Sequence, residues 1–159
     1  MKLKLLLSIT LITAMTAVLR SQTNNTPVEI TLKTGETINA INFGKYKCGS
    51  DITEGSYTLI RGKYKGIVTE IKDYRQLEKI VPVGFTKEPV PSVGNQKGTL
   101  KIYKKNGVVV ELDDAELVPS CFSVGDKYNQ IAVEIMNPLT NQPVDQTVEV
   151  RNIQSIIFK

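Results

Sequence analysis

Glu70–Ile80 reads EIKDYRQLEKI, and 79 positions later Glu149–Phe158 reads EVRNIQSIIF. Both open on an acid, a β-branched residue, a base and then Asp or Asn, and both close on an apolar run. Neither has the length or the 3.6-residue apolar period of a substantial helix, whereas the flanking segments alternate apolar and polar residues as half-buried strands do. A closing motif used twice points to a small β-module present in two copies, so the fold class expected is all-β.

The parallel extends outward from that motif. Val28–Ile38 and Thr99–Val110 each read as an alternating strand, a glycine-centred turn and a second strand. In the second copy the turn contains Asn106-Gly107, a pair suited to the positive-φ positions of a two-residue hairpin. A middle strand follows in each copy, at Ser56–Arg61 and at Tyr128–Ile135. The next turn is expected to be short in copy one, Gly62 to Gly66, and long in copy two, Asn137 to Pro143. Aligning Gly35 with Gly107 needs an offset of 72, against 79 at the closing motif, and the longer hairpin is the natural place for the difference. Pro82–Asn95 holds three prolines and two glycines and reads as a linker. The organisation expected is therefore residues 1–21 as a signal peptide, 22–27 as a polar leader, 28–83 as module one, 84–97 as linker and 98–159 as module two. In this order of features each module resembles a small SH3-like or Sm-like barrel, which implies one helical turn before the last strand, at Asp73–Gln76 and Asn152–Gln154. A single β-sandwich sharing one core is the alternative.

The N-terminal segment carries the export signal. Lys2 and Lys4 precede an uncharged run, Leu5–Leu19, which Arg20 and a polar stretch terminate. This is the pattern of a helical signal peptide, and the run is shorter than the roughly 20 apolar residues of a membrane span. The run followed by Ser21-Gln22 resembles signal peptides of Bacteroidota, which implies a mature N-terminus at Gln22. Three of the 20 basic residues and none of the 16 acidic ones lie in this segment, leaving 17 against 16. The apparent pI near 9.0 thus reports targeting, and nucleic-acid binding, which needs a strong basic field, is not expected.

The chain contains no His and no Trp. Ser-His-Asp, Cys-His and His-metal sets are excluded on that count. Glu111, Asp113, Asp114 and Glu116 form the one dense acidic group, but they lack the Asp-x-Asp-x-Asp-Gly order of a calcium loop and read as a solvated turn. No catalytic residue, metal or cofactor is expected. The basic side holds a doublet, Gly-Lys-Tyr-Lys at 44–47 and again at 62–65. Lys45, Lys47, Arg61, Lys63 and Lys65 are the candidate binding face for an acidic partner, with strand alternation turning the tyrosines inward. Leu59-Ile60-Arg61-Gly62 resembles part of the second Sm motif, which implies RNA contact; export and the near-neutral mature charge argue against it. Cys48 and Cys121 fall one position apart in the repeat and are a candidate disulfide, which export permits. The function expected is a non-enzymatic interaction module for another protein or an anionic envelope polymer, or else a periplasmic inhibitor or immunity protein that neutralises a toxin or hydrolase.

Overall fold

Gly35 and Gly107 adopt φ values of 90° and 81°. Each donates its N–H to the residue three positions back, Leu32 O at 2.9 Å and Lys104 O at 2.9 Å. These turns close the first hairpin of each half: β1 (Val28–Leu32) with β2 (Thr37–Phe43), and β6 (Gly98–Lys104) with β7 (Val109–Pro119). The computed structural model describes residues 26–44, 58–85, 97–119 and 129–159. The other strands are β3 (Thr58–Tyr64), β4 (Ile67–Ile71), β5 (Leu77–Val83), β8 (Gln130–Met136), β9 (Pro143–Glu149) and β10 (Ile153–Phe158). A 3₁₀ turn at Val150–Asn152 precedes β10. The protein is all-β, as its alternation requires.

All ten strands form one antiparallel sheet in the order β4-β3-β7-β6-β5-β10-β1-β2-β8-β9. Replacing each strand by its counterpart five places along the chain gives the same order read backwards. The sheet therefore has an internal two-fold relation between residues 28–83 and 98–159. The hairpins cross over: β3–β4 pairs with β7 of the second half, and β8–β9 pairs with β2 of the first. The halves are interlaced rather than closed into two separate barrels. Local alternation is satisfied by either neighbour, which is why sequence reading leaves the exchange invisible.

The register locates the centre of the two-fold. Ile80 lies opposite Ile102, and Ile156 lies opposite Ile30, which is the counterpart of Ile102. Ile80 and Ile156 then pair with each other. Both seams carry a bulge at the same place, at Glu78 on β5 and at Gln154 on β10. The turns before these strands also match. Leu77 N–H donates to Tyr74 O at 2.9 Å, as Ile153 N–H donates to Val150 O. Gln76 O accepts from Lys105 N–H at 3.0 Å and Asn152 O from Lys33 N–H at 2.8 Å. The repeat at this point thus runs Asp73–Leu77 onto Glu149–Ile153, an offset of 76. The offset of 79 matched Glu70–Asp73 to Glu149–Asn152 on side-chain likeness alone.

One apolar core serves both halves. Ile30, Ile60, Ile80, Leu100, Leu112 and Ile131 are among its fully buried members. Backbone bonds draw the strands together over it: Thr58 N–H to Gly44 O at 2.8 Å and Gly44 N–H to Ala132 O at 2.8 Å on one side, Asn129 N–H to Leu117 O at 2.9 Å on the other. Phe43 stands edge-on to Tyr74 at 5.0 Å and to Phe158 at 5.2 Å, and the Tyr74 hydroxyl donates to Thr58 O. Among the described residues, no helix is long and apolar enough to cross a membrane.

Two local expectations need correction. The turn expected at Gly62–Gly66 is confined to Lys65 and Gly66, at φ 50° and 82°, because Gly62 to Tyr64 continue β3 in register with β4. The acidic group expected in a turn lies within β7 instead, where Asp114 at φ 48° marks an irregularity.

Candidate functional site

The described part of the expected basic face lies on β3 and its turn. Arg61 and Lys63 occupy alternate positions of β3 and so share its outer face, away from Ile60 and Gly62. Neither presents an unengaged cation. Arg61 donates to Glu70 Oε1 on β4 through Nε at 3.0 Å and Nη2 at 2.8 Å, and its Nη1 lies 3.7 Å from Glu116 Oε1 on β7. Lys63 Nζ donates to Asp114 Oδ2 at 2.8 Å. The Lys65 ammonium lies 5.3 Å from the Tyr64 ring centroid. Tyr64 does not turn inward: it stands 39% exposed near the hairpin tip, beyond the reach of the core. Lys45, Lys47, Cys48 and Cys121 lie outside the described residues.

Three carboxylates of this region, Asp114, Glu70 and Asp73, are lowered from their ordinary pKa. Lys63 beside Asp114 lowers its pKa, chiefly by hydrogen bonding. Glu70 is lowered by hydrogen bonds from Arg61 and then Lys72. Asp73 is lowered to about 2 by hydrogen bonds from the Arg75 side chain and backbone. Glu111 pairs with Lys101 at 2.8 Å. A general acid needs a carboxyl raised toward neutrality, which is the opposite perturbation. Among the described residues, no three acids or cysteines are grouped to hold a metal ion.

The feature that residue-type reading missed is apolar. Among the described residues, β4 is a terminal strand of the sheet, and Ile67 and Val68 on it are 71% and 66% exposed. An edge strand with unpaired backbone groups and exposed β-branched side chains is a ready acceptor for another strand. β9 is the other terminal strand. Val144 on it and Met136 beside it are also exposed. The strand Ile67–Ile71 follows the turn that the sequence places at Gly62–Gly66. Its edge position follows only from the exchanged pairing of β3 with β7.

Searches of protein-family models, characterised proteins and solved structures found no match to the chain.

Proposed function

We propose that this chain is an exported protein that works by binding another protein, and that the β3–β4 edge is where it binds. The observation that carries this reading is that β4, an open edge among the described residues, carries the exposed side chains of Ile67 and Val68. An anionic polymer fits less well. Arg61 and Lys63, the cations it would use, are already neutralised by Glu70, Glu116 and Asp114. Catalysis by carboxylates is disfavoured by the lowered pKa values around them. Export rests on the charged start and uncharged run of residues 1–21. The matching strand orders support duplication of one five-stranded, SH3-like unit with its hairpins exchanged.

A photo-crosslinking residue placed at Val68 in the producing cell tests the binding site, with Glu36, an exposed position between β1 and β2, as control. Discrete protein adducts from position 68 and none from 36 are expected. Absence of any adduct from 68 would reject the edge as the binding site. Intact-mass measurement of the exported protein tests processing, with loss of residues 1–21 expected.

A further inference from the structure

Asn106-Gly107 is the single Asn-Gly pair in the chain. It forms the tip of the β6–β7 hairpin, and both residues are exposed. Gly107 takes φ 81°, whereas Asn106 keeps a negative φ. Two backbone bonds close the tip, Gly107 N–H to Lys104 O and Lys104 N–H to Val108 O, both at 2.9 Å. Asn106 Oδ1 accepts from Val108 N–H at 3.2 Å. The side-chain amide therefore lies along the Gly107 peptide, with its carbonyl oxygen held by a donor.

We propose that Asn106 is a site of spontaneous chemical modification, its side-chain amide being lost to the Gly107 backbone nitrogen at a rate set by opening of the turn. The Gly107 nitrogen gives up its proton and attacks Asn106 Cγ. A bond forms between that nitrogen and Cγ, the Cγ–Nδ2 bond breaks, and the amide leaves with the proton as ammonia. The product is a five-membered succinimide. Water opens it at either of its two carbonyls. Opening at Cγ leaves aspartate, and opening at the main-chain carbonyl leaves isoaspartate. The sum is one amide and one water giving one carboxylic acid and one ammonia, with no oxidation or reduction.

Three observations favour the site. Gly107 has no Cβ to shield its nitrogen. Val108 N–H donates to the oxygen that turns negative as Cγ is attacked, and a hydrogen bond to a charged acceptor is stronger than one to a neutral acceptor. Lys104 and Lys105 set two cations just before Asn106, where they favour loss of the Gly107 proton. One observation opposes them. Gly107 N–H is committed to Lys104 O, and the nitrogen is not free to turn onto Cγ until that bond breaks. The fold is thus the brake. Its release is a local opening of the tip, which needs far less free energy than unfolding the sheet.

The counterpart turn is spared. Thr34-Gly35 holds the same place between β1 and β2, with Gly35 N–H donating to Leu32 O at 2.9 Å, and threonine has no amide to lose. The modification therefore marks one half of a two-fold molecule. Isoaspartate would route the main chain through the former side chain and add a methylene between Lys105 and Gly107. The ring closed by the Gly107–Lys104 bond has no room for that extra atom without distortion, so the tip should loosen. Either product also adds a negative charge next to Lys104 and Lys105.

Incubating the purified protein at mildly alkaline pH, folded and in concentrated urea, tests this. Peptide mapping by mass spectrometry follows the Asn106 peptide, and enzymatic methylation of isoaspartate counts that product. Conversion at Asn106 is expected in both samples, about tenfold or more slower in the folded one, as the need for local opening requires. The Asn106→Thr variant, which copies Thr34, should yield no isoaspartate from this peptide. An Asn106 that stays intact in urea would overturn the site. Equal rates in the folded and unfolded protein would overturn control by the turn. Both readouts come from the unmodified chain and do not depend on how the variant folds.

Discussion

Ile80 and Ile156 pair with each other at the centre of the sheet, and each is the other's counterpart in its own half. Both are fully buried. A self-paired position on an internal two-fold gives the two residues nearly the same surroundings. Ile80→Ala and Ile156→Ala should therefore destabilise the protein by similar amounts, about 2–5 kcal/mol each. The double variant should depart from additivity, because the residues are in contact. Urea unfolding of the three variants measures both effects, and unequal single losses would show that the symmetry of pairing is not a symmetry of packing.

The repeat behind that symmetry was legible in the sequence because turns are written in residue types. Gly35 and Gly107 need positive φ, and the alternation on either side of them needs strands. The exchange of hairpins was not legible, since β3 presents the same buried positions to β7 as it would to a strand of its own half. The true offset of the closing motif was obscured by chemistry. Glu70-Ile71-Lys72-Asp73 resembles Glu149-Val150-Arg151-Asn152 more closely than Asp73-Tyr74-Arg75-Gln76 does, yet the latter makes the matching turn. Arg61 and Lys63 were found as charges, but their neutralisation depends on carboxylates from β4 and β7 that only the folded sheet brings near.

Gly62 sits where the exchanged hairpin meets β7. A β-carbon built there would lie 2.9 Å from Leu112 Cβ, 3.1 Å from Asp113 O and 3.2 Å from Ala115 Cβ. Two of these neighbours are fully buried side chains, so the seam must open to admit a side chain. Gly62→Val should cost about 1–3 kcal/mol or more through overpacking. Thermal unfolding should show it as a lowered midpoint, and an unchanged midpoint would mean that the β3–β7 contact is looser than drawn.

Asp73 gives a pH signature. Arg75 Nε donates to Asp73 Oδ1 at 2.9 Å and Nη2 to Oδ2 at 2.7 Å, which lowers the carboxyl from an ordinary 3.8 to about 2. A folded pKa below the unfolded one contributes stability that is complete above the ordinary value and is lost as pH falls toward the folded value. The contribution should therefore disappear between about pH 4 and pH 2. Carboxyl NMR titration should find Asp73 near 2 in the unmodified protein and back in the usual Asp range in Arg75→Ala.

Tyr74 ties the first closing turn to the start of the exchanged hairpin. Its buried hydroxyl donates to Thr58 O, while Thr58 N–H donates to Gly44 O at 2.8 Å. Val150 holds the matching place in the second half, so this bond has no twin there. Tyr74→Phe keeps the ring contacts with Phe43 and removes the donor. The expected loss is about 1–2 kcal/mol, with faster amide hydrogen exchange at Thr58. Unchanged exchange at Thr58 would show that the hydroxyl does not anchor the hairpin.

The interlacing itself predicts how the protein unfolds. If each half closed its own core, each would melt on its own. Here β3 finds its inner neighbour in β7, β2 finds its outer neighbour in β8, and Ile80 meets Ile156 between them. Removing either half would open a seam along five strand pairs and expose core side chains of the other. Calorimetry should accordingly give one transition whose van't Hoff enthalpy equals the calorimetric one. The barrier should be dominated by late, long-range pairing, because the exchanged hairpins join strands far apart in the chain. A mutation confined to one half, such as Ile60→Ala, should then lower the single transition without splitting it. Two resolved transitions, one moved by Ile60→Ala and one not, would show that the halves fold as separate units despite the shared sheet.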